Sequence, residues 1–247
     1  MARAEDYEHQ PIEEVHLSWT AQPKGSKSFH LLGLDLAIHP NSSKRIIINY
    51  PGYHGEREGY MDKHRKLAQY MQGEGLGAVV RGKGPGWPDF DGFTEDVQLR
   101  KMIEYALENA QAICDAQRPE VLIIGTSAGG GAAAAIAYEY EAVKRLLLMA
   151  PGANMGMGQI ERGLSRFPGE VFVIIGENDT NVGPETGKAF YNLATAASLR
   201  QLFLIPNCDH NFRGKTNGRI MSQAPFYAFA QNTRPEFPDP TGGIVLY

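Results

Sequence analysis

Short runs of apolar, often β-branched residues alternate along the chain with longer stretches that carry apolar residues at helical spacing. Glu13–Thr20 and Phe29–His39 alternate in the manner of strands with one solvated face, and the turn 39–44 follows them. Arg45–Tyr50 is apolar enough for a strand covered on both faces. Four more such runs follow in Gly77–Arg81, Val121–Gly125, Arg145–Ala150 and Val171–Ile175, and a last one in Gln201–Ile205. Between them the spacing predicts helices over Tyr60–Glu74, Phe93–Gln117, Ala128–Glu139, Gln159–Arg166 and Pro184–Ser198, with a final helix over Arg219–Gln231. About eight strands alternating with helices predict a mostly parallel sheet covered on both faces, an α/β class fold. No linker or composition shift interrupts the pattern, so 1–247 is expected to form a single domain. Residues 233–247, with three prolines and two glycines, read as an extended C-terminal arm.

Composition narrows the partners. Hydrophobic residues make up 43% and charged residues 21% of the 247, which is ordinary for a chain with a real core. The net charge of −4 comes without a basic block, so no nucleic-acid footprint is expected. No run approaches a membrane span, and the polar start lacks the apolar centre of a secretion signal. Cys114 and Cys208 then read as free thiols in a reducing compartment, which makes a cytoplasmic protein the expectation. Histidine and cysteine spacing offers no metal site, and no cofactor is expected. Gly82–Gly86 and Gly187–Ala189 resemble nucleotide-binding loops only in part: Trp87 stands where a third glycine is required, and the second lacks the Ser/Thr of a phosphate loop. Oligomeric state is open.

The chemistry concentrates in Gly125-Thr126-Ser127-Ala128-Gly129, a Gly-x-Ser-x-Gly set between a buried run and an alanine-rich helix. A sharp strand-to-helix turn lifts a serine hydroxyl above a sheet and needs small neighbours on both sides. A hydroxyl is a weak nucleophile, so it needs a base, and the base needs an orienting acid. His210 is the one histidine downstream of Ser127 and follows a strand by a short loop. Asp179 lies in the loop after the preceding strand, with Glu177 and Asp209 as rivals for the acid. The N–H of Ala128 and that of Tyr53, in the loop 50–55, are the candidate oxyanion donors.

These residues resemble the α/β-hydrolase superfamily from about residue 45 to residue 230. The marks are Pro51-Gly52-Tyr53, the loop 80–84, the serine pentapeptide, Gly176–Val182 and Asp209-His210. The Pro-Gly-Tyr loop looks like that of cutinase-type and dienelactone-hydrolase-like esterases, although dienelactone hydrolases proper use cysteine where Ser127 stands here. The resemblance implies a serine hydrolase acting on a small-molecule carboxylic ester or thioester. Only about twenty residues separate Ala150 from Val171, which implies little or no cap. Tyr53, Trp87, Phe90, Met155 and Met157 fall in loops at the expected mouth, with Tyr53, Trp87 and Met155 as substrate-binding candidates. Acyl transfer, amide or peptide cleavage or a lyase reaction on the same residues is the alternative chemistry. A non-catalytic binding protein that kept the fold is the alternative from outside catalysis.

Overall fold

A computed structural model describes residues 3–22, 27–86 and 95–247. Eight strands form one sheet: β1 (Glu13–Ala21), β2 (His30–His39), β3 (Arg45–Tyr50), β4 (Ala78–Arg81), β5 (Glu120–Thr126), β6 (Val143–Met149), β7 (Glu170–Gly176) and β8 (Leu199–Ile205), in the order β1-β2-β4-β3-β5-β6-β7-β8. β1 and β2 are antiparallel, as are β2 and β4; every later pairing is parallel. The eight expected strands all form, within one or two residues of the bounds the hydrophobic pattern suggested.

The helices are α1 (Lys63–Gly73), α2 (Asp96–Glu108), α3 (Ala110–Cys114), α4 (Ala128–Ile136), α5 (Met157–Leu164), α6 (Pro184–Leu193) and α7 (Lys215–Phe229). Strand side chains point alternately to the two faces. Ile46 and Ile48 therefore join α2 to α6 in one apolar cluster, while Ile47 joins α1, α7 and the C-terminal arm in the other.

Several expected helices are shorter than their patterns; the one expected over Pro184–Ser198 ends at Leu193. The stretch 93–117 was expected to run unbroken, but its described part breaks at Asn109 (φ −108°, ψ 15°), whose side-chain amide donates to the Tyr105 carbonyl at 2.9 Å. A short polar side chain competes there with the helix's own backbone bonds. The 60–74 stretch opens with a distorted 3-10 turn at Tyr60–Asp62 and becomes α-helical only at Lys63, because Gly59, Met61 and Asp62 all hold positive φ.

The arm does not stand free. Ile244 and Leu246 are fully buried, and the Ser222 hydroxyl donates to the Ile244 carbonyl at 2.9 Å. The segment between β6 and β7 carries one eight-residue helix, α5. Among the described residues no helix is long and apolar enough to cross a membrane, and no group of His, Cys, Asp and Glu could hold a metal ion.

Candidate active site

The carboxyl ends of β3, β5, β7 and β8 bring the candidate residues to one edge of the sheet. Ser127 follows β5 with φ 53° and ψ −122°, a conformation that costs an L-residue about 1–3 kcal/mol. The surroundings hold it there. Its N–H donates to the Met149 carbonyl at 3.0 Å, and its carbonyl accepts from Gly130 at 2.9 Å and Gly152 at 2.8 Å. The neighbours must be small. A side chain at Gly129 would run into the Tyr50 and Pro51 carbonyls, and a Cβ at Gly52 would lie 2.7 Å from that of Ser127.

The Ser127 Oγ lies 3.1 Å from His210 Nε2, and His210 Nδ1 lies 2.8 Å from Asp179 Oδ2. The carboxylate can only accept, so Nδ1 carries the proton and Nε2 presents a lone pair to the serine hydroxyl. The other oxygen, Asp179 Oδ1, accepts from the N–H groups of Asn181 at 2.9 Å and Val182 at 3.0 Å. Asp179 is thereby buried with both oxygens satisfied. Its side chain is 0% exposed and that of His210 13%, so the exposed end of the relay is the one nearest solvent.

The rival acids sit elsewhere. Glu177 is exposed, and Asp209 Oδ1 closes its own turn by accepting from the N–H groups of Asn211 at 3.1 Å and Arg213 at 2.9 Å. The loops after β7 and β8 are tied together by Glu177 N–H to the Ile205 carbonyl and Asn178 N–H to the Cys208 carbonyl, both at 3.0 Å. That tie fixes Asp179 against His210.

A cleft of about 610 Å³ opens over these groups, lined among others by Gly52, Tyr53, Ser127 and His210. The Tyr53 hydroxyl donates to Glu95, which fixes its ring at the cleft wall. Ala128 is the first residue of α4, where a backbone N–H has no partner within the helix. Met155, expected at the mouth, is 6% exposed and packs into the apolar cluster under α4 and α5; it does not line the cleft. Its loop turns the thioether inward, a direction that its place in the sequence does not reveal. Met157 is exposed at the start of α5. Trp87 and Phe90 lie outside the described residues. The cleft also takes in Tyr60, Lys63, Asn181 and Asn211, which the sequence did not single out.

No family model and no curated protein matches the chain. Solved structures do. A dienelactone hydrolase from Anabaena variabilis shares 20% identity, with 87% of this chain and 95% of that one covered, at a TM-score of 0.59. Est1E from Butyrivibrio proteoclasticus shares 14%, with 84% and 95% covered, at 0.61. The chain has the α/β-hydrolase fold. An esterase domain from Rhodothermus marinus, at 16% identity, 87% and 93% coverage and a TM-score of 0.58, has the same architecture. Within this fold the serine turn, the acid loop and the histidine loop follow β5, β7 and β8 in the order expected from the sequence.

Proposed function

We propose that this α/β-hydrolase-fold protein is a serine hydrolase that cleaves a carboxylic ester or thioester through Ser127, His210 and Asp179. The observation that carries the reading is the continuous hydrogen-bonded relay Ser127–His210–Asp179, ending on a hydroxyl held in a strained turn beside an open cleft. The esterases and the dienelactone hydrolase among its structural neighbours support the same class of chemistry.

Ser127 Oγ attacks the carbonyl carbon while its proton passes to His210 Nε2. Asp179 holds the Nδ1–H tautomer and stabilises the imidazolium that forms. The carbonyl oxygen gains charge, and the N–H groups of Ala128 and Tyr53 are the proposed donors to it; one such donor is worth about 10²–10³ in rate. Collapse breaks the bond to the alcohol or thiol, which leaves with the proton from His210. Water then repeats the cycle on the acyl-enzyme: His210 takes its proton, the hydroxyl adds to the carbonyl, and the acid leaves as Ser127 recovers its hydrogen. The free, buried thiols of Cys114 and Cys208 fit the expected reducing, cytoplasmic setting.

The test is turnover of short 4-nitrophenyl and thiophenyl esters by wild type and Ser127→Ala, with products separated in the presence and absence of an acceptor alcohol. Free acid as the main product, lost in the variant, is the expected result. Transfer to the alcohol in excess over acid would replace hydrolysis with acyl transfer.

A further inference from the structure

We propose that Lys63 sets the charge preference of this cleft by binding a carboxylate carried on the substrate, and that Tyr247 is the positioning residue that holds it there. The inference rests on the hydrolase reading above and adds the class of ester.

Lys63 is a half-buried cation in the wall of the cleft that holds Ser127 and His210. Two lysines of the chain end on carboxylates, Lys101 on Glu104 and Lys188 on Glu185. Lys63 has no ion pair among the described residues. Its one hydrogen bond among the described residues goes to the Tyr247 hydroxyl at 3.1 Å, a neutral acceptor, and its ammonium lies 5.6 Å from the centre of that ring. An ammonium has three donors, so two remain for a ligand. The charges that face it come from two loops. Asp209 attracts it, but that carboxylate is already engaged by two backbone N–H groups and by Arg213 at 3.7 Å. Arg213 repels it, and Glu56 at the cleft rim is solvent-exposed.

The placement is costly for the fold. Lys63 is the first residue of α1, where the positive end of the helix disfavours a cation. Burial lowers its pKa from the ordinary lysine value. A charge held against its helix and partly out of water, with no ion pair among the described residues, is well matched to an anionic ligand, because a charge-assisted bond strengthens as water is excluded. Tyr247 fixes it with the same hydroxyl that donates to the Asn211 carbonyl at 2.7 Å, one residue beyond His210. Lys63 is therefore tied to the loop that carries the histidine, and it lines the same cleft as Ser127. The buried Ile244 and Leu246 anchor the arm that brings Tyr247 there.

Matched esters test this. Monomethyl adipate against methyl hexanoate places the carboxylate on the acyl side; 4-acetoxybenzoate against phenyl acetate places it on the leaving group. In at least one pair the charged-to-neutral ratio of kcat/KM should fall about 10- to 100-fold in Lys63→Met, mainly through KM. Lys63→Arg should regain part of it and Tyr247→Phe should lie between. Binding of adipate and 4-hydroxybenzoate to Ser127→Ala, followed by calorimetry, needs no turnover and should weaken at least about tenfold when Lys63→Met is added. An unchanged ratio in variants that still hydrolyse esters overturns the role of Lys63 and leaves the hydrolase reading standing. Lys63-dependent carboxylate binding by a protein that hydrolyses no ester keeps the anion site and overturns the hydrolase reading. Loss of neither ratio nor binding overturns the inference outright.

Discussion

The two ends of the parallel sheet are both rich in polar side chains, and they treat them in opposite ways. At the amino ends of the strands, Arg45 and Glu120 stand opposite each other on β3 and β5, and Arg145 and Glu170 on β6 and β7. These four charges are paired with one another. Arg45 donates to Glu120 at 3.1 Å, to the Leu76 carbonyl at 3.1 Å and to the Phe229 carbonyl. Arg145 donates to the Ala230 carbonyl at 2.6 Å, and Arg234 of the arm closes on Glu170. At the carboxyl ends, the relay from Asp179 is just as well satisfied at its buried end but finishes on the Ser127 hydroxyl at an open cleft, and Lys63 beside it has no counter-ion among the described residues. A network of paired charges holds strands in register. An unsaturated one is ready for a ligand.

The largest effect should come from spoiling the relay while keeping its shape. Asp179→Asn presents an amide N–H where the imidazole needs an acceptor, so the wrong tautomer is favoured; kcat should fall about 10⁴-fold with the fold intact by circular dichroism. At the other end, Arg45→Met removes the nearer counter-ion of the half-buried Glu120 and strands two carbonyls. It should cost about 3 kcal/mol in denaturant unfolding while the variant that remains folded keeps its turnover. That contrast, activity without stability at one end and stability without activity at the other, is the comparison in its sharpest form. Gly52→Ala should lie between them: a methyl 2.7 Å from the Ser127 Cβ displaces the nucleophile and should lower kcat about 10²-fold.

The last effect is one of pH. His39 accepts from the Arg81 guanidinium at 2.7 Å and is buried, and burial with that cation beside it pushes its pKa down from 6.5 to about 3. Burial does the same to His64. Both stay neutral in the folded chain and gain a proton on unfolding below pH 6.5. The unfolded chain thus binds more protons, and stability should fall as pH drops from 6.5 toward 3, by up to about 1.4 kcal/mol per pH unit for each histidine. Denaturant melts at pH 7 and pH 5 measure this, and His39→Gln should flatten the slope.

The strands and the relay were legible in the sequence because both obey short-range rules. A run such as Arg45–Tyr50 is apolar enough to specify burial on both faces, and the serine turn needs its glycines within two residues. The order serine, acid, histidine then follows from which strand ends share an edge. What was not legible depends on long-range contact or on a single backbone choice. Nothing near Met155 says that its loop turns inward. The break at Asn109 depends on one amide capturing one carbonyl. Lys63 gave a faint signal, a cation opening a helix, but its meaning depends on Tyr247, 184 residues away and at the end of an arm without periodicity.

The central claim is that Ser127 is an activated nucleophile. Labelling with a fluorescent fluorophosphonate, followed by peptide mass mapping, tests it with no assumption about substrate. The account predicts a single adduct on Ser127 that disappears in Ser127→Ala and is strongly slowed in His210→Ala. A folded wild-type protein that takes up no label at Ser127 would contradict it and leave the fold as the scaffold of a binding protein.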